Sequence, residues 1–249
     1  MTDSPPPLAV VTGGTRGIGL ALSRRLIERG HRVVAAYAGD TAAAEKAEAE
    51  HPGRLTAVRM DVSDPDQVAG TAREILDGYG APSVLVNNAG LNADRPFLEL
   101  SESDWRRVLD TNLSGPFWLT RAFAPAMLAA GGGQVVNIGA TTGIRPRVNG
   151  ANYCASKAGL LQLTKCLALE LAPAIRVNCL IPGMINTDEL RIRWRLDDPE
   201  RLAATLDEIP SRRIGTPEDI ADALEFITGP AGSYLNGQKL IIDGGQFMW

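Results

Sequence analysis

Cysteine is scarce in this chain: Cys154, Cys166 and Cys179 are an odd number and show no C-x-x-C spacing. Buried thiols in a reducing compartment are therefore expected, above all for Cys154 and Cys166 in their apolar helical setting, and no metal cluster is evident. Long hydrophobic runs are missing as well. No segment reaches the roughly 18 apolar residues that a bilayer-spanning helix needs. The opening MTDSPPPLAVV lacks a basic segment followed by a long apolar stretch, so it is not read as an export signal and a cytoplasmic setting is expected. Nor is there a basic excess. The formal net charge of −4 gives no general drive towards nucleic acid or an anionic membrane surface. Internal repeats, low-complexity tracts and linkers are not found.

What remains is an ordinary globular composition, 45% apolar and 22% charged over 249 residues, enough for one large α/β domain. Short apolar runs recur at 8–12, 32–37, 55–60, 83–87, 134–139, 175–180 and 239–243. Longer helical patterns alternate with them, among them GIGLALSRRLIERG, a long pair from Ser103 to Ala130, and ANYCASKAGLLQLTKCLALELA. Several strands are almost continuously apolar, as in a parallel sheet covered on both faces. The alternation predicts a single α/β, Rossmann-like doubly wound domain with about seven parallel strands and right-handed crossovers. Residues 1–7 are expected to be a loose tail and 8–249 the domain. One segment, 184–215, breaks the rhythm with polar helices and six arginines. It follows a strand's carboxyl end and is read as a lid or substrate wall.

The stretch LAVVTGGTRGIGLALSRRL is a strand, a glycine-rich turn and an amphipathic helix. Gly13, Gly17 and Gly19 let the backbone turn tightly, and the helix amides form a pyrophosphate site. Thr15, Arg16 and Ile18 complete that candidate surface. The second strand ends at Tyr37, where an acid gripping a ribose hydroxyl is expected in NAD-binding proteins. Arg16 can pair with a 2′-phosphate, and Asp40 lies three residues past Tyr37. NADPH is therefore preferred over NADH. Other candidates fall at strand ends: Asp61 and Val62, then Asn88, Ala89 and Gly90, then Pro182, Gly183 and Thr187. Each alone is a common turn or cap; together they mark the carboxyl edge of the sheet.

Tyr153 and Lys157 are four residues apart and share a helix face. A phenol ionises near pH ~10, and a nearby ammonium is expected to lower that value. Such a tyrosine can give a proton to a carbonyl oxygen as hydride reaches its carbon. The motifs TGGTRGIG, NNAG, LDTNLSG, YCASK, PGMINT and NGQKLIIDGG, in this order from about Leu8 onward, resemble those of the classical short-chain dehydrogenases/reductases. The chain looks most similar to the 3-oxoacyl-carrier-protein reductase, acetoacetyl-CoA reductase and polyketide ketoreductase type. The resemblance implies an Asn-Ser-Tyr-Lys tetrad, of which Asn112, Tyr153 and Lys157 match. Asn112 would anchor a proton-relay water, and Lys157 would hold the ribose.

The serine of that tetrad belongs thirteen residues before the tyrosine, where this chain has Ala140. Three explanations compete. Thr142, or Thr141, supplies the hydroxyl; Thr141 points away on a strand, whereas Thr142 needs a backbone bend beside Gly139 and Gly143. Alternatively, the substrate dispenses with the serine, as an imine or activated alkene would. Otherwise the chain binds NADP with altered or lost chemistry, or is an inactivated Ser-to-Ala variant. Arg145, Arg147, Arg191, Arg193 and Arg195 suggest an anionic partner such as a thioester carried on CoA or a carrier protein, unless they are solvated surface charges. Leu91, Phe97, Ile144 and Met184 are candidate pocket walls. Arg213 resembles a structural feature of the family. The family resemblance also implies a homotetramer paired through the Ser103–Ala130 and Ala151–Leu171 helices, with Trp105, Trp118 and Phe123 as surplus apolar surface. The C-terminal QFMW would suit a further interface.

Overall fold

Seven short runs of aliphatic and β-branched residues form one parallel sheet in the computed structural model, which describes residues 5–248. The strands are β1 (Leu8–Thr12), β2 (Arg32–Tyr37), β3 (Leu55–Arg59), β4 (Pro82–Asn87), β5 (Gly133–Ile138), β6 (Ile175–Pro182) and β7 (Lys239–Ile242). Their spatial order is β3-β2-β1-β4-β5-β6-β7. The chain therefore leaves β1 towards one edge and returns beside it as β4, which opens a crevice at their carboxyl ends. The helices are α1 (Gly17–Glu28), α2 (Thr41–Glu50), α3 (Pro65–Tyr79), α4 (Glu102–Leu109), α5 (Gly115–Ala129), α6 (Ala151–Glu170), α7 (Asp188–Trp194), α8 (Pro199–Asp207) and α9 (Pro217–Thr228).

Alternation along each strand divides the core into two halves. Val11, Val33, Ala35, Val86 and Leu180 face Leu22 and Leu26 of α1 and Ile220 and Leu224 of α9. Val10, Val34, Leu85, Val135 and Val177 face Ile75 of α3 and Leu119, Phe123 and Met127 of α5. Each large aliphatic or aromatic side chain buried this way contributes about 1.5–3 kcal/mol. Phe123 is therefore core and not the surplus surface expected of it, because its helix turns that position onto the sheet. Trp118 is partly buried against the same cluster, and Trp105 stays partly exposed. No helix among the described residues is long and apolar enough to cross a membrane.

Some local expectations are corrected. Cys179 is buried, but Cys154 is only partly so and Cys166 is exposed, since the apolar pattern of α6 runs around the helix and leaves part of it uncovered. The segment 184–215 folds as α7 and α8. It is pinned at its base by Gly215 N–H donating to the Met184 carbonyl (2.9 Å) and Asn186 N–H donating to the Gly215 carbonyl (2.8 Å). Arg213 binds Asp219 bidentately at 2.6 and 2.7 Å, and Asp219 completes a capping box with Thr216 at the start of α9. Its role is structural. In the expected N-terminal tail, Pro5–Pro7 are exposed, yet the Pro7 carbonyl accepts from Arg32 N–H at 2.9 Å; residues 1–4 lie outside the described residues. At the other end Phe247 lies 5.7 Å from the Arg145 guanidinium, Met248 is exposed, and Trp249 is outside the described residues.

Candidate active site

The crevice between β1 and β4 is built by hydrogen bonds from side chains to backbone. The Thr12 hydroxyl accepts from Asn88 N–H and Ala89 N–H, both at 3.0 Å. The Asn88 amide donates to the Thr12 carbonyl at 2.9 Å and to the Gly13 carbonyl at 3.2 Å. Asn88 thus holds the glycine turn in place with its side chain. Gly13 and Gly17 adopt φ of 61° and 53°, the left-handed region in which a Cβ is strained. A Cβ on Gly19 would lie 1.9 Å from the Gly13 carbonyl oxygen, so turn and helix touch backbone to backbone. Gly19→Ala is expected to lower stability by roughly 1–3 kcal/mol, the usual scale for overpacking. Denaturant titration checks this, and an unchanged midpoint would contradict so close an approach. Thr15 is buried behind the turn, and Ile18 packs against the core. Arg16 is the exposed, extended N-cap of α1, whose first turn carries no acid and no side-chain cap, leaving its amides open to an anion.

The remaining strand-end residues surround this turn. Tyr37 is partly buried at the end of β2, while Asp40 accepts from Ala43 N–H at 3.0 Å and caps α2. Asp61 is exposed and binds the Ser63 hydroxyl (2.7 Å), with Val62 buried beneath it against Gly115. Pro182 is buried at the end of β6, and Gly183 lies so close to β7 that a Cβ would meet the Asp243 Cβ at 2.5 Å. Thr187 caps α7 by accepting from Leu190 N–H (3.3 Å). A Cβ placed on Gly17 would lie 3.6 Å from the Thr187 methyl, so the segment after β6 reaches the glycine turn.

Three of the sequence candidates converge next to that turn. A Cβ on Gly90 would lie 3.3 Å from Asn112 Oδ1 and 3.6 Å from Lys157 Nζ. Asn112 sits in a π-helical turn, Asp110–Ser114, between α4 and α5, a wider turn of the kind found at functional sites. Its Oδ1 accepts from Leu91 N–H, and its Nδ2 donates to the Leu91 carbonyl, both at 2.9 Å. The same amide donates to Ser156 Oγ (3.1 Å), which donates to the Tyr153 carbonyl (2.8 Å). Ser156 therefore couples Asn112 to the turn of α6 that carries the tyrosine. Sequence reasoning missed it, because a serine inside YCASK reads as an ordinary small helix residue.

Lys157 is buried and donates from Nζ to the Ile138 carbonyl at 2.8 Å. Burial pulls its pKa down to about 8. Burial also pushes Tyr153 up to about 12, opposed by the cations Arg147 and Arg193. The expectation that Lys157 lowers the tyrosine's pKa is thereby corrected. Its ammonium lies 5.8 Å from the ring centroid and is committed to a carbonyl, and desolvation of the phenolate outweighs it. The Arg147 guanidinium lies 5.4 Å from the Tyr153 ring centroid. Asp94 holds it with an oxygen at 2.8 Å and also pairs with Arg193 of α7, while Arg147 reaches Asn92 Oδ1 at 3.0 Å. Of the five arginines singled out, Arg147 and Arg193 come to the tyrosine. Arg191 instead binds Asp197 (2.6 Å). Leu91 lies beside Asn112, whereas Phe97 is largely exposed to solvent and not the pocket wall expected of it.

Ala140 is extended two residues past the end of β5, and a single 3₁₀ turn, Thr141–Gly143, follows it. A Cβ on Gly143 would meet the Lys157 carbonyl carbon at 2.8 Å, so this turn is pressed onto α6. The bend ends strand alternation at Thr141. Thr142 Oγ1 is buried without a hydrogen-bond partner among the described residues.

The buried lysine has a consequence for stability. Its folded pKa of about 8 lies below the ordinary lysine value of 10.5, so the unfolded chain binds more protons between those values. Stability should then rise with pH above 8, by about 1 kcal/mol between pH 8 and 9. Above its ordinary value of 9.0 the buried thiol of Cys179, pushed up to about 12, acts in the opposite sense. Urea titrations of the wild type and Lys157→Met between pH 7 and 9 check this. The rise should disappear in the variant, and a wild-type stability that is flat over this range would contradict it.

Known proteins resemble this chain over nearly its whole length. A model of the short chain dehydrogenase family matches residues 7–196. The 3-oxoacyl-[acyl-carrier-protein] reductase FabG of Vibrio cholerae is 34% identical over 243 residues, 97% of each chain. The 3-oxoacyl-[acyl-carrier-protein] reductase of a Synechocystis species is 37% identical over 254 residues and the full length of both. Among solved structures, a candidate gluconate dehydrogenase from Agrobacterium tumefaciens superimposes with a TM-score of 0.90 at 32% identity, covering 96% of this chain and 95% of that one. The chain belongs to the short-chain dehydrogenase/reductase family, whose members are nicotinamide-dependent oxidoreductases.

Proposed function

We infer that the chain is an NADPH-dependent reductase of a carbonyl group on a medium-sized organic substrate. The observation that carries this reading is the convergence of Asn112, Lys157 and Gly90 beside the glycine turn, with Tyr153 one helical turn before Lys157. A nicotinamide cofactor fits the residues present. The open amides of α1 and the side-chain-free Gly13 and Gly17 accept a pyrophosphate, and Lys157, Asn88, Ala89 and Gly90 border the neighbouring space. Thr15, Ile18, Asp61, Val62, Pro182, Gly183 and Thr187 complete the rim. Tyr37 in place of an acid, with Arg16 nearby, supports NADPH. The bound cofactor supplies the hydride.

The protein's own residues manage the proton and the oxygen. Tyr153, held protonated by burial, donates to the carbonyl oxygen as charge develops there. Lys157, its ammonium fixed on the Ile138 carbonyl, stands one helical turn away to hold the ribose. Asn112 fixes the Leu91 backbone and, through Ser156, the backbone of Tyr153. Thr142 supplies the hydroxyl that the family places at the position of Ala140. The 3₁₀ turn that carries it, pressed onto the Lys157 backbone of α6, supports this.

The names of the reductases reported above favour a 3-oxoacyl thioester, and the cationic Arg147 and Arg193 suit an anionic carrier. Exposed Trp105, Phe117 and Leu128 on α4 and α5, and Leu169 on α6, support helix pairing in a homotetramer. A second reading, an NADP-binding member with altered or lost chemistry, rests on Ala140. The test measures NADPH oxidation with acetoacetyl-CoA and cyclic ketones, alongside NADPH binding, for the chain and its Ala140→Ser variant. Turnover by the unaltered chain supports the reductase. Binding with turnover only in the serine variant supports the second reading.

A further inference from the structure

The NADPH reading leaves one strongly placed cation unused. Arg59 is the last residue of β3 and stands in register with Tyr37, the last residue of β2. Alternation places it on the α1 side of the sheet, since Leu55 and Ala57, four and two residues earlier, belong to the core half packed by α1 and α9. Its Nε donates to the Ala38 carbonyl at 3.3 Å, holding the guanidinium against the turn that follows β2. Arg16 lies in the glycine turn, exposed at the start of α1. Gly14 N–H donates to the Ala36 carbonyl at 3.3 Å, so that turn is tied to the end of β2, one residue before Tyr37. The nearby acid, Asp40, is directed onto Ala43 N–H at the start of α2. Neither arginine has a carboxylate partner among the described residues.

We propose that Arg59 is a specificity-determining residue which, with Arg16, clasps a phosphate on the adenosine 2′ position at the end of β2. The inference rests on the NADPH reading above. A phosphate dianion presents several acceptor oxygens, and a guanidinium offers planar, paired donors that match them. Arg59 stands beside Tyr37 and the glycine turn carrying Arg16 is tied to the same strand end, while Asp40 is engaged by Ala43 N–H and Asp61 by Ser63. Anchoring by the Ala38 carbonyl leaves Arg59 fewer conformations to lose on binding, whereas Arg16 has no such anchor among the described residues. The simpler alternative is that Arg59 is a charge on an edge strand that discourages pairing with other chains. The two differ in ligand selectivity.

The experiment titrates the intact chain, without any ketone, with 2′,5′-ADP and 5′-AMP by calorimetry and with NADPH and NADH by fluorescence. Arg59→Gln should weaken 2′,5′-ADP and NADPH by roughly 10–100-fold, the scale of a lost charge-assisted hydrogen bond. Affinity for 5′-AMP and NADH should not change, and Arg59→Lys should fall between. If Arg59→Gln leaves 2′,5′-ADP unchanged while Arg16→Gln weakens it, the role of Arg59 is overturned and the NADPH reading stands. Equal weakening of all four ligands makes Arg59 structural and overturns the proposal too. If the wild type does not distinguish 2′,5′-ADP from 5′-AMP, both the NADPH preference and this inference fail. Circular dichroism establishes folding, and the lysine variant carries the test if the glutamine variant is unfolded.

Discussion

Tyr153→Phe is expected to lower ketone reduction by roughly 10²–10⁴-fold, the range for removing a positioned general acid. The ring and its packing stay, so NADPH affinity and thermal stability should be unchanged. The expected pH dependence follows from the partly buried, poorly solvated phenol. With its pKa pushed up to about 12, Tyr153 keeps its proton through neutral and mildly basic pH, so reduction should not decline there for want of an acid. The reverse oxidation needs the phenolate and should rise with pH towards that value. Cations oppose the effect of burial, Arg147 first and then Arg193, while Glu189 and Asp94 reinforce it. Stopped-flow traces at several pH values, together with NADPH binding, check the prediction. A Phe variant that reduces ketones as fast as the wild type would remove Tyr153 from the chemistry.

Thr142→Val is expected to lower turnover by roughly 10²–10³-fold, the usual cost of losing one donor aimed at a developing oxyanion. Stability should move differently. Thr142 Oγ1 is buried and makes no hydrogen bond among the described residues, so replacing it with a methyl of similar shape breaks none. Relief of a buried, unpartnered hydroxyl should leave the folded state as stable or more so. Ala140→Ser in the Thr142→Val background should restore turnover, because either hydroxyl can serve. In the wild-type background the same serine should add little. Kinetics and urea titrations of the four chains check both halves. If Thr142→Val is silent in turnover while Ala140→Ser raises activity sharply, the donor is absent from this chain and the reading of lost chemistry gains.

The strands were legible because they are short, nearly continuous apolar runs, and burial on both faces of a parallel sheet requires that pattern. The glycine turn was legible for a related reason. Gly13 and Gly17 occupy left-handed backbone, and Gly19 touches another backbone; few residues other than glycine tolerate either. The spacing of Tyr153 and Lys157 on one helix also followed from local geometry. Phe123 shows the limit of such reading. Its apolar character was plain, but which way it faced depended on how α5 docked onto the sheet.

The sequence by itself determined the α/β alternation, the place of the glycine turn, and the absence of a serine at Ala140, since each is a local pattern of residue types. Tertiary structure alone decided which groups meet. Asp94 follows β4, Arg147 follows β5 and Arg193 lies on α7 after β6, so their grouping beside Tyr153 needs two crossovers to bring three separate loops to one sheet edge. The pKa values of Tyr153 and Lys157 were decided there as well. They depend on how much water the assembled crevice excludes, and no spacing along the chain carries that quantity.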